Sequence, residues 1–171
     1  DRLTVLREAV FAEDAEDRAA ALSRLLPMQR ADFLQMFRIM APRPVCLRLF
    51  DPPLHEFLPS TREGILQLAD ALDMSAREVQ SRIEDLSEVN PMLGLRGVRL
   101  GITMPEIYDM QARAIFEAAI EASTGGITVV PEIMIPLVSA KREVELVRSR
   151  IDAVAADVMS ETGKTVDFRL G

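Results

Sequence analysis

Apolar residues recur at helical spacing along most of this chain, broken by a few short stretches that alternate or run continuously apolar instead. Residues 2–9 read as the end of a helix already under way. Glu13 or Asp14 caps a second helix running to about Leu26, and Pro27 opens a third, in which Phe33, Met36, Phe37 and Met40 share a face. The run Ala41, Pro42, Arg43, Pro44 stops it. Residues 45–50 alternate as a strand, with Val45, Leu47 and Leu49 on one face and Cys46, Arg48 and Phe50 on the other. Asp51-Pro52-Pro53 ends that strand, because a proline has no N–H to give a ladder. Three capping boxes follow: Ser60 with Glu63, Ser75 with Glu78, and Thr103 with Glu106. The first two predict short surface helices joined near Asp73. The third opens the longest apolar-periodic segment, from Met104 to about Ala122, ended by Gly125 and Gly126. Residues 127–138 are almost continuously apolar, as expected of a parallel strand buried on both faces. Ser139 caps a helix to about Ser160, and Gly163-Lys164 turns into a last strand over 165–170.

Strand–helix alternation predicts an α/β fold with a parallel sheet, and arginines at strand ends suit a (β/α)8 TIM barrel. The pattern supplies three strands, or four if residues 98–102 form one. A complete barrel takes roughly 250 residues, whereas this chain has 171. The expectation is therefore a partial barrel over residues 1–171, incomplete at both ends, with a helical insertion around residues 60–88.

Composition narrows the partners. A net charge of −7 opposes nucleic acid, which wants a basic face. No apolar run has the roughly 18 residues that predict a membrane helix. One cysteine excludes an internal disulfide and a cysteine-based zinc cage. Any anion site must be local, made by a few arginines against an unfavourable background.

Residues 90–101 have that character: Arg96 and Arg99 lie among Gly94, Gly97 and Gly101, after Asn90-Pro91. Glycine allows close backbone approach, and the arginine fork fits carboxylate or phosphate. Arg96 is the candidate ligand contact here, the alternative being a solvated loop charge. Arg99 is expected to support the loop or pair with a carboxylate. Arg48 is either an anion contact or a strand arginine paired with a carboxylate on a helix. His55, the only histidine, is expected to be a satisfied structural residue rather than a phosphocarrier, and Cys46 a small packed residue rather than a nucleophile. Glu13, Asp14, Glu16 and Asp17 read as a solvated helix start and not as a metal cluster. The nine methionines read mostly as core.

Four stretches carry a family resemblance: residues 47–59 (Leu47-Arg48-Leu49-Phe50-Asp51-Pro52-Pro53-Leu54-His55-Glu56-Phe57-Leu58-Pro59), 90–101, 108–119 and 130–138. They resemble the pyruvate, phosphate dikinase family, end to end within its C-terminal phosphoenolpyruvate/pyruvate-binding barrel. The resemblance implies that Arg48 and Arg96 hold the phosphoryl group. It departs from the family at Leu95 and Val98, where histidine and cysteine are usual. It also implies Mg2+ as the parent's cofactor, with its ligands on later strands outside this chain. The catalytic set is then incomplete here, since the proton-donating cysteine lies beyond it. The phosphohistidine and nucleotide-binding domains would be other parts of the same parent chain, itself a cytoplasmic homodimer, and the fragment alone would be inactive. Two alternatives stand beside this: an assembly fragment that binds no ligand, and the barrel of a related phosphoenolpyruvate synthase.

Overall fold

The computed structural model describes residues 2–12, 14–87, 90 and 94–171. Among these described residues seven α-helices and a three-stranded sheet follow one another as α1 (Arg2–Phe11), α2 (Ala15–Met40), β1 (Val45–Arg48), α3 (Arg62–Leu72), α4 (Ala76–Leu86), α5 (Val98–Thr103), α6 (Pro105–Thr124), β2 (Pro131–Met134), α7 (Lys141–Thr162) and β3 (Arg169–Leu170). A 3-10 turn, Leu54–Phe57, follows β1. The fold is α/β and mostly helical, with strand order β1-β2-β3 and both pairings parallel.

Helix α6 is the hub. Its alanines at 112, 114, 118, 119 and 122 are buried together with Ile107, Tyr108, Ile115 and Phe116, so most of its circumference faces the core and one charged stripe, Asp109, Arg113, Glu117 and Glu121, is left outside. Small side chains let α2, α7 and β2 approach it closely. Leu47 and Leu49 of β1 and its continuation, with Ile133 and Ile135 of β2 and its continuation, join this core. The other sheet face is open: Cys46, Arg48, Met134 and Arg169 are exposed there. Residues 127–138 are therefore not a strand buried on both faces. Regular pairing is confined to Pro131–Met134, the stretch that has β1 beside it. Likewise the last strand is Arg169–Leu170, and residues 164–168 lie outside it.

Other expectations are corrected in instructive ways. Pro27 lies inside α2 instead of opening a new helix. Leu26 before it cannot cap, and Pro27 is exposed while Leu22, Leu25 and Phe37 hold both halves of α2 in one core. Residues 98–102 belong to α5, not to a fourth strand. Five residues do not separate a period of two from one of 3.6. Thr103 does not cap α6. Pro105 starts that helix at N1, while the Thr103 hydroxyl donates back to the carbonyls of Arg99 and Leu100. Thr61, not Ser60, caps α3. The Ser75–Glu78 box caps α4 as expected, with Asp73 in the left-handed turn before it. Glu143 accepts from the N–H groups of Ser139 and Ala140 and from the Ser139 hydroxyl, which holds its carboxyl below the usual range. Among the described methionines only Met110 is buried. Met36, Met40 and Met134 are exposed, and Met92 lies outside the described residues.

Candidate functional site: an arginine-rich corner at the strand ends

In a parallel sheet all carboxyl ends of strands lie on one side, where the chain leaves the ladder and side chains converge. Here β1 delivers Arg48 and, three residues on, Asp51. β2 delivers Pro136 and Leu137. The loop before α5 is fastened to this corner by the Val98 N–H, which donates to the Pro136 carbonyl at 2.9 Å. Gly97 has φ +56, and a Cβ there would lie 3.0 Å from the Pro136 carbonyl oxygen and 3.1 Å from Asp51 Oδ1. Only glycine meets both demands.

Arg96 is aimed inward by this turn. Its Nη2 donates to Asp51 Oδ2 at 3.1 Å, and Arg48 Nη1 lies 3.4 Å from the same oxygen. The structure thus brings together the two arginines singled out in the sequence, and Arg48 is paired with a strand-end carboxylate rather than one on a helix. Their settings differ: the Arg48 side chain is 60% exposed and that of Arg96 21%. Asp51 is 5% exposed. One carboxylate between two guanidiniums leaves the trio with a surplus positive charge. Asp51 Oδ1 and Arg96 Nε are both buried without a hydrogen-bond partner, an uncommon state for such atoms.

Two side chains of α6 hold the backbone where β1 has ended. Gln111 Oε1 accepts from the Phe50 N–H at 2.7 Å, and the Tyr108 hydroxyl donates to the Phe50 carbonyl at 2.9 Å. They replace the ladder partners that Phe50 lacks, and so fix the residue next to Asp51. Burial, then the Asp51 charge, pushes the Tyr108 phenol well above its ordinary pKa. Gly101 lies flat on that ring: an added Cβ would sit 2.3 Å from Tyr108 Cε2.

Sequence reasoning did not single out Asp51, Tyr108 or Gln111 for the site. Asp51 left a signal, an acid directly after an arginine-bearing strand and before two prolines that bar any continuing ladder. Tyr108 and Gln111, three apart on a helix face away from the charged stripe of Asp109, Arg113, Glu117 and Glu121, left another.

The remaining candidates have other settings. Val98 is fully buried and Leu95 half-buried against the core, so neither replacement adds a polar group. Arg99, on α5, adds to the field that keeps Glu143 ionised. His55 lies in the 3-10 turn with Nδ1 buried and unpartnered, so it is not the satisfied histidine expected. Cys46 is exposed on the open face and is not packed. Asp14 caps α2 through the Asp17 N–H, and Glu16 and Asp17 are exposed. Glu13 is outside the described residues. Among the described residues no group of three or more histidines, cysteines or acids is placed to hold a metal. None of their helices is long and apolar enough to cross a membrane.

In open parallel α/β sheets ligands bind outside the carboxyl ends of the strands, which is where this chain places its paired arginines. Comparison with known families makes this specific: residues 3–171 match the family described as "PEP-utilising enzyme, PEP-binding domain", and the chain belongs to that family. Its whole length is 52% identical to a protein of Rhizobium meliloti (strain 1021) named pyruvate, phosphate dikinase, covering 19% of it. It is 50% identical to one of that name from Giardia intestinalis, again covering 19%. It is also 50% identical to a chloroplastic one from Flaveria trinervia, covering 18%. The chain therefore spans about a fifth of the length of these relatives.

Proposed function

We propose that this chain is the phosphoenolpyruvate/pyruvate-binding portion of a pyruvate, phosphate dikinase, and that Arg48 and Arg96 receive the phosphoryl group. The observation that carries this reading is the Asp51 carboxylate shared by two guanidiniums, which leaves a surplus positive charge at the strand ends. A phosphoryl transfer asks little covalent work of its protein and much positioning and charge stabilisation. Arg96, held by a glycine turn and a direct hydrogen bond, is the fixed arm. Arg48, on the longer contact and largely exposed, is the arm that turns to the incoming group. Neither the phosphoenolpyruvate synthase reading nor the assembly reading has a comparable observation behind it.

In this proposal the three strands are part of a (β/α)8 barrel, residues 1–171 being one stretch of that domain. The parent reaction interconverts ATP, phosphate and pyruvate with AMP, diphosphate and phosphoenolpyruvate through a phosphohistidine on another domain of the parent chain. The residues described here do not fit a magnesium ion, because Asp51 already faces two cations. Any Mg2+ belongs to residues outside this chain. The parent would be a homodimer, in the cytoplasm or, as the Flaveria relative's name has it, a chloroplast.

Calorimetric titration of phosphoenolpyruvate, with magnesium present, into the chain and into its Arg48→Ala/Arg96→Ala double variant tests the site. The expected result is saturable binding that the double variant loses. Equal heats from both proteins would overturn the assignment, and none from either would mean that the metal-binding strands outside this chain are needed and that this stretch is a structural fragment only.

A further inference from the structure

Beside the arginine corner lies a cavity of about 530 Å3 whose walls include Arg48 but neither Arg96 nor Asp51. Its size is in the range of small-ligand sites. Three phenylalanines line it, Phe33 of α2, Phe50 after β1 and Phe57 of the 3-10 turn, together with Met36 and Met110. The Phe50 and Phe57 rings lie 5.4 Å apart. Leu3 and Met36, which also line it, are among the large apolar side chains left exposed.

The polar groups are few and their charges can be counted. Arg2 and Asp32 pair with each other. Gln111 is neutral, and its oxygen is used by the Phe50 N–H, while its Nε2 meets Gln29 Oε1 only at 3.4 Å. That leaves Arg48 as the cation without a full counter-charge, since Asp51 is also bonded by Arg96 at the shorter distance. An aromatic-walled cavity with one such cation matches a single negative charge on a flat apolar body.

We propose that this cavity binds small apolar monoacids, an aryl or branched-chain carboxylate, with the carboxylate on Arg48 and the body among the phenylalanines. Resting on the phosphoryl reading above, the ligand would compete with phosphoenolpyruvate, because both require Arg48. The binding itself is independent of that reading.

The test uses 1-naphthoate as probe and 1-naphthylmethanol as its neutral counterpart, titrated into the unaltered chain. The expected result is saturable, equimolar binding of naphthoate and at least about tenfold weaker binding of the alcohol. Met36→Trp, at an exposed position, should fill the cavity, weaken naphthoate by about tenfold or more, and leave the phosphoenolpyruvate titration unchanged. Equal binding of acid and alcohol, no saturable binding, or full affinity in a cooperatively folded Met36→Trp variant would each overturn the proposal. Naphthoate binding without phosphoenolpyruvate binding would uphold the cavity and remove only the competition, so the two readings fail separately.

Discussion

Two groups of arginines in this molecule meet carboxylates in opposite ways. On the outer faces of α2, α6 and α7, Arg30, Arg38 and Arg113 share Glu117, Glu121 and Glu161. Three cations face three anions, and their side-chain exposures run from 21% for Glu117 to 57% for Arg38. At the strand ends Arg48 and Arg96 share Asp51 alone, and that carboxylate is almost wholly buried. Exposed pairs contribute little, because solvent screens them and two long side chains must be ordered. A buried carboxylate must be paired or it destabilises the fold, and two arginines on one acid overcompensate it. The surface network thus has its charge satisfied within itself. The corner retains positive charge in a protein of net −7, and the proposed anion contact rests on that surplus.

Replacing one arginine in each group should break the symmetry most visibly. Arg96→Met leaves Asp51 buried with only the longer Arg48 contact, and denaturant unfolding should show a loss of about 3 kcal/mol. Arg113→Met, in the neutral network, should lose less than about 1 kcal/mol. Equal losses would remove the distinction between the two regions.

Gly101→Ala probes the packing behind the corner. Its new Cβ would overlap the Tyr108 ring, and moving the ring costs about 2 kcal/mol by denaturant titration. An unchanged midpoint would mean that the ring yields freely and does not fix Phe50.

Tyr108→Phe removes one hydrogen bond and leaves the Phe50 carbonyl without it, a loss of about 1 to 2 kcal/mol. It also carries a pH signature. Burial and Asp51 raise the folded-state pKa of the phenol above the unfolded value of about 10. The stabilisation is complete below that unfolded value and falls as pH rises toward the folded one, because the unfolded chain releases its proton first. Tyr108 is the only tyrosine, so phenolate absorbance reports it alone. Absorbance should rise with unfolding and not before, and Tyr108→Phe should flatten the alkaline decline in stability. A free-solution titration in the folded protein would contradict the buried placement.

The smallest effect belongs to the surface network. Glu161→Gln should shift stability by under about 0.5 kcal/mol, and added salt should erase even that.

What was legible in the sequence follows from how local each signal is. The Val45–Arg48 strand, the Ser75–Glu78 cap and the α6 span could be read from a few neighbouring residues. So could the two arginines, because glycines and a strand alternation frame them. Pro27 misled because its helix is held by Leu22, Leu25 and Phe37 in a core assembled from distant segments. Residues 98–102 misled because Gly97 and the Pro136 carbonyl, 39 residues apart in the chain and joined only through the fold, set their conformation. Asp51 as the shared counter-ion, and Tyr108 and Gln111 as the clamp on Phe50, depend on contacts spanning up to 61 residues, which no periodicity encodes.

The most direct measurement is phosphoenolpyruvate titration, followed by calorimetry with magnesium present, into Arg48→Met and Arg113→Met side by side. Arg48→Met removes the surplus charge at the strand ends while leaving Asp51 its shorter bond to Arg96, and the account predicts that binding is lost. Arg113→Met disturbs only the self-neutralised network and should bind like the unaltered chain. Equal affinity in the two variants would contradict the claim that the strand-end arginines form the anion site.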